Sequence, residues 1–135
     1  MNYPINGQCQ YGKVHYTLHK APIAIAACHC KQCPKLSTSA FSLTTMIDKD
    51  ALELMGELKA FRRQADSGNQ TIVMFCPTCA NHIYHYSPSY PDKLMLKPST
   101  LDNTEIITPT IHVWTKEKQT WYQIPDNVMV FETQP

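Results

Sequence analysis

Three cysteines crowd into "CHCKQC", residues 28–33, and two more form "FCPTC", residues 75–79. A sixth, Cys9, lies near the N-terminus in "GQCQYG". Clustered thiols in a reducing compartment point to metal binding or thiol chemistry before disulfides. Cys76 and Cys79 have the Cys-x-x-Cys spacing of a zinc knuckle, which lets two thiolates converge on one ion while turn N–H groups face the sulfurs. Pro77 suits such a turn because it fixes φ. A redox dithiol needs the same spacing, but no βαβ pattern surrounds this one.

The triad of Cys28, Cys30 and Cys33 is less common. In extended chain Cys28 and Cys30 share a side, and Cys33 can fold back to them through "KQCP". Three soft thiolates suit Zn²⁺ better than hard cations. A structural zinc closes with four protein ligands, whereas a catalytic one keeps a position open. Spacing alone leaves three readings: a catalytic zinc, a structural zinc with a remote fourth ligand, and buried cysteines without metal.

The elements that must position these thiols read as short strands. "KVHYTL" places Val14, Tyr16 and Leu18 on one face, and "TIVMFC", "HIYHYS", "KLMLK", "TIHVW" and "TWYQI" are β-branched or aromatic runs. Loops are expected over 66–70, 87–92 and 124–127. "DKDALELM" fits a short helix or a strand equally. Ten prolines and the lack of long helical periodicity predict a mainly β domain of short antiparallel strands, curled or sandwiched.

At 135 residues the chain is expected to form one domain, 1–135, large enough for a real core. Its 43% apolar and 17% charged residues argue against disorder. A net charge of +1 without a basic stripe argues against nucleic acid as a partner. No apolar run approaches the ~20 residues of a membrane span, and the N-terminus lacks a signal-peptide core. A soluble, cytoplasmic protein is expected.

Taken in order, these motifs resemble the glutathione-dependent formaldehyde-activating enzyme family, which includes relatives similar to centromere protein V. "GQCQYG" resembles the family's Gly-x-Cys-x-Cys-Gly, "CHCKQC" its Cys-His-Cys-x-x-Cys, and "FCPTCA" its Phe-Cys-x-x-Cys-Gly. "SAF" (39–41), "TLD" (100–102), "HVW" (112–114) and "TWYQIPDN" (120–127) follow in place. The resemblance implies a β-tent-like fold with two zinc sites. Cys9, Cys76 and Cys79 map to a structural zinc. Cys28, Cys30 and Cys33 map to a catalytic zinc with an open position. The implied activity is that of a carbon–sulfur lyase, reversibly joining glutathione to formaldehyde or another small carbonyl compound.

The chain departs from the family pattern at several positions. Tyr11 replaces the second structural cysteine, and a phenol of pKa ~10 is a poor zinc ligand at neutral pH. Ala80 replaces the knuckle's glycine, with Asn81 beside it as a residue more tolerant of the left-handed region. Pro34 and Thr38 stand where many members carry Arg and Gly. His82 is a candidate replacement ligand, against the default of a partly buried strand histidine. His29 is expected to point away from the thiols, toward solvent or as an outer hydrogen-bond partner. Lys31, Lys35, Arg62 and Arg63 are candidates to attract substrate carboxylates. Two alternatives to an enzyme are a non-enzymatic zinc-binding protein-interaction module and a thiol-based redox or metal buffer.

Overall fold

The structure, a computed structural model, describes residues 2–64 and 68–135; the side chains of Cys33 and Pro34 lie outside the described residues. Eleven strands dominate among the described residues. They are β1 (Ile5–Gln8), β2 (His15–Leu18), β3 (Ala24–Cys28), β4 (Ser42–Asp48), β5 (Leu52–Met55), β6 (Lys59–Gln64), β7 (Gln70–Phe75), β8 (His82–Tyr86), β9 (Lys93–Leu96), β10 (Ile111–Val113) and β11 (Met129–Val130). One six-residue helix, α1 (Gln32–Ser37), follows β3. Among the described residues, no helix is long and apolar enough to cross a membrane.

The strands form two sheets. The small one has the order β1-β2-β5, and the large one β11-β10-β3-β4-β9-β8-β7-β6. The mainly β expectation holds, with one difference. β10 runs parallel to both β3 and β11, so the large sheet is mixed. Its parallel pairs join distant segments and bring the tail beside the "CHC" segment.

One core lies between the sheets. Val14, Tyr16 and Leu18 alternate inward as their spacing predicts, and they meet Ile47, Ile83, Leu94 and Leu96 from the large sheet. Full burial of each large aliphatic side chain is worth roughly 1.5–3 kcal/mol. The Tyr16 hydroxyl is satisfied by Thr100 Oγ1 at 2.7 Å, and burial pushes its pKa up to about 12. Gly7 pairs with Tyr16 across the strands. A Cβ on Gly7 would lie 2.3 Å from that ring, so glycine there allows β1 to deliver Cys9 to the core.

The runs "TIVMFC", "HIYHYS", "KLMLK" and "TIHVW" all contain strands as expected. "DKDALELM" resolves into a 3-10 turn, Lys49–Ala51, followed by β5. The strand expected in "TWYQI" does not form. The Tyr122 N–H instead donates to Gln119 O at 3.1 Å, and Lys118 Nζ donates to Tyr122 O at 2.9 Å. A local turn thus takes the backbone groups that a ladder would need, and the ring is used for packing. The loop expected over 66–70 lies partly outside the described residues, and Gln70 already opens β7.

Candidate metal centre and thiol site

Two loops bring three sulfurs together. Cys9 follows β1 in a turn closed by its own N–H to Val14 O, 3.0 Å, and by Gly12 N–H to Cys9 O, 3.2 Å. Gly12 takes φ +72° there. Cys76 and Cys79 lie in the turn between β7 and β8, closed by Cys76 N–H to Asn81 O, 2.9 Å, and Ala80 N–H to Cys76 O, 2.8 Å. The Sγ atoms of Cys9, Cys76 and Cys79 lie within 4.8 Å of one another. Cys9 and Cys76 are buried and Cys79 is half-buried.

These three thiols fit a metal by their chemistry. At Zn–S distances of about 2.3 Å, tetrahedral ligands sit just under 4 Å apart, so sulfurs this close need little movement. The Val14 N–H points at Cys9 Sγ from 3.3 Å. Burial pushes the Cys9 thiol up, but N–H groups of Val14 and Tyr11 and the thiols of Cys76 and Cys79 outweigh it and bring its pKa to about 7. Burial raises the Cys79 thiol, and the neighbouring sulfurs of Cys76 and Cys9 push it the same way.

The departures from the family pattern now have locations. The Tyr11 side chain is 78% exposed and turned away from the sulfurs. His82 is not among the groups gathered within 4.8 Å; it pairs with Phe75 in the sheet, and burial and then Lys97 lower its pKa. Ala80 adopts φ +65°, so the turn does not shift to Asn81. For a residue with a Cβ this conformation costs about 1–2 kcal/mol. Asn81 has another task that the sequence did not suggest. Its Oδ1 accepts from Gln10 N–H at 2.9 Å and from Cys79 Sγ at 3.7 Å, tying the two ligand loops together.

The second thiol group lies elsewhere, at the junction of β3 and α1. Cys28 ends β3 opposite Ser42, Cys30 follows in the irregular link, and position 33 falls in the first turn of α1. Cys28 and Cys30 are half-buried. The expected convergence of Cys33 with them lies outside the described residues.

His29, between them, departs from the solvent-facing alternative. It is 1% exposed, and so is His112 of β10. His29 Nε2 and His112 Nδ1 are 2.9 Å apart, and the rings of Phe41 and Tyr122 lie 5.0 and 5.4 Å from the His29 ring. The backbone reinforces this anchor, with His29 N–H donating to Val113 O at 3.0 Å and Lys31 N–H to Glu117 Oε1 at 2.8 Å. Burial first, then the nearby His112 and Lys118, lowers the His29 pKa; burial lowers that of His112. Both rings are therefore neutral at neutral pH and share one proton between the facing nitrogens. The strand parity that hides His29 turns its neighbours the other way. The signal that could have found the pair is the parity of "HVW" beside "CHC", legible only once β10 and β3 are known to be partners.

Comparison with known proteins agrees with this architecture. A crystal structure of a Rhodobacter sphaeroides protein superposes with a TM-score of 0.59 at 16% identity, over 76% of this chain and 92% of that one. At that identity the likeness concerns the fold. No curated protein matches the sequence. The sequence profile described as glutathione-dependent formaldehyde-activating enzyme matches residues 4–117, a span that contains both thiol groups. The chain belongs to the glutathione-dependent formaldehyde-activating enzyme family.

Proposed function

We propose that the protein is a zinc-dependent carbon–sulfur lyase-type enzyme. It joins a glutathione-like thiol to formaldehyde, or to another small carbonyl compound, and reverses the same step. Cys28, Cys30 and Cys33 are the proposed ligands of the catalytic zinc. Cys9, Cys76 and Cys79 are proposed to hold a structural one, with water or another small ligand in the place left by Tyr11. The proposed setting is the cytoplasm, where thiols stay reduced.

The observation that carries this reading is the arrangement of the "CHC" segment within a family match over residues 4–117. Cys28 and Cys30 are half-buried, while the intervening His29 is locked inward on His112. A segment whose middle residue is pinned this way holds its two flanking thiols in a fixed relation, as pre-organised ligands require. Zinc bound there would supply Lewis acidity and favour the thiolate form of a thiol. In the forward step the thiol sulfur bonds to the carbonyl carbon, the C=O π bond opens, and the thiol proton ends on the oxygen of the resulting S-hydroxymethyl group. The Phe41 and Tyr122 rings packed at a tilt against His29 keep water from that side of the segment.

The experiment is formaldehyde consumption by the zinc-loaded protein in the presence and absence of glutathione. Consumption that needs both zinc and thiol, and that is lost in Cys30→Ala with the fold retained, supports the enzyme. A zinc-replete protein with no turnover supports a non-catalytic zinc module.

A further inference from the structure

We infer that Arg63 and Lys97 form a carboxylate-binding subsite beside the "CHC" segment, which selects an acidic thiol over a neutral one. The inference rests on the proposed thiol substrate. Its geometry follows from the register of the large sheet. Arg63 faces Thr71, Val73 faces His85, His85 faces Met95, Met95 faces Met46, and Ser42 faces Cys28. Cross-strand partners share a face, as do residues two apart along a strand. Arg63, His85, Lys97, Ser42 and Cys28 therefore lie on one face of the sheet.

Side-chain contacts connect this stripe to the thiol segment. Lys97 Nζ donates to Ser42 Oγ at 3.1 Å, and Ser42 is the residue directly opposite Cys28. Arg63 Nη1 donates to Gln32 Oε1 at 2.5 Å, and Gln32 opens α1 immediately before Cys33. Two cations thus reach the thiol segment from both of its flanks. The Arg63 Nε is buried with no hydrogen-bond partner among the described residues. Among the described residues no carboxylate pairs with this guanidinium, and a guanidinium held only by a neutral carboxamide keeps an uncompensated charge suited to attract a substrate carboxylate. His85 lies between the cations. Burial first, then Lys97, Arg63 and His82, brings its pKa down to about 3, so it adds no charge of its own at neutral pH. Arg62, a residue earlier on β6, is turned to the opposite face, which separates it from this role.

The test compares glutathione with its diethyl ester, which keeps the thiol and removes both carboxylate charges. Equilibrium binding of each to the zinc-loaded protein is measured by calorimetry, and formaldehyde turnover is measured in parallel. The expected result is that the wild type binds glutathione at least about tenfold more tightly than the ester, the effect of one charge-assisted contact. Arg63→Gln should lose most of that preference while its affinity for the ester stays unchanged, and Arg63→Lys should recover part of it. Lys97→Met should act in the same direction. Equal binding of glutathione and ester by the wild type, or an equal loss for both in Arg63→Gln, would overturn the inference. If binding discriminates but no turnover occurs, the carboxylate subsite stands and the proposed reaction fails. Thermal unfolding of each variant checks that the sheet is retained.

Discussion

His29 and His112 stand 83 residues apart in the chain, and their ring nitrogens lie 2.9 Å from each other in the core. The bond joins the segment carrying two candidate zinc ligands to a strand from the far end of the chain. Its outer nitrogens, His29 Nδ1 and His112 Nε2, have no partner among the described residues. One end of the pair is therefore an unused N–H and the other an unused lone pair, whichever tautomer is present.

Removing one member of the pair should be costly. In His112→Phe the His29 Nε2 loses its partner inside the core, at a cost of about 1–3 kcal/mol. Replacing both rings by Phe should cost less than the sum of the single changes, because no polar atom is left orphaned at the contact. Denaturant unfolding of the two single variants and the double variant measures this coupling, and strict additivity would contradict it.

Ala80 offers a change in the other direction. It sits at φ +65° in the knuckle turn, where glycine carries no Cβ penalty. Ala80→Gly should stabilise the protein by up to about 1 kcal/mol, after allowing for the greater freedom of glycine in the unfolded chain. A rise in the denaturation midpoint with an unchanged slope is the expected readout.

Asn81 links the two ligand loops, and Asn81→Ala removes the acceptor for both Gln10 N–H and Cys79 Sγ. Metal affinity at Cys9, Cys76 and Cys79 should fall about tenfold or more, as is typical when an outer partner of a ligand is lost. Competition with a chromogenic chelator measures it. Unchanged affinity would mean that the loops hold their relation without Asn81.

The same cluster should release metal as the solution is acidified. Ligand sulfurs bind metal as thiolates, so the metal-free protein carries more protons than the loaded one, and lowering the pH favours release. The Cys9 thiolate is favoured in the fold with a pKa of about 7, below the ordinary thiol value. Its contribution is present above the ordinary thiol pKa and is lost as pH falls through about 7. Burial raises Cys79, so that ligand must surrender its proton to the metal at neutral pH. Zinc affinity should therefore drop steeply between neutral pH and about pH 5, measurable by chelator competition at a series of pH values. Affinity that is flat over that range would contradict a thiolate site.

Much of this architecture was legible in local patterns. The alternation of Val14, Tyr16 and Leu18 gave both a strand and its buried face, and Cys-x-x-Cys predicted a turn presenting two sulfurs. The meeting of Cys9 with Cys76 and Cys79 came from the family resemblance, since no local signal spans 67 residues. The buried state of His29 was hidden for the same reason. Its partner arrives through a parallel pairing of β10 with β3, a long-range contact with no local signature. Lys97 has no sequence signal, because one lysine after a short strand carries no pattern, and only the register places it beside Ser42 and Cys28. "TWYQI" had strand composition, but its backbone is claimed by a turn and by Lys118.

The most direct measurement of the central claim is NMR detection of the S-hydroxymethyl adduct formed from glutathione and ¹³C-formaldehyde, with and without the zinc-loaded protein. Exchange between free formaldehyde and the adduct should be accelerated by the wild type, lost on removal of zinc, and lost in Cys28→Ala and Cys30→Ala, whose Cys9, Cys76 and Cys79 site still retains metal. Exchange no faster than in buffer with the protein fully loaded, or undiminished in both variants, would contradict the account.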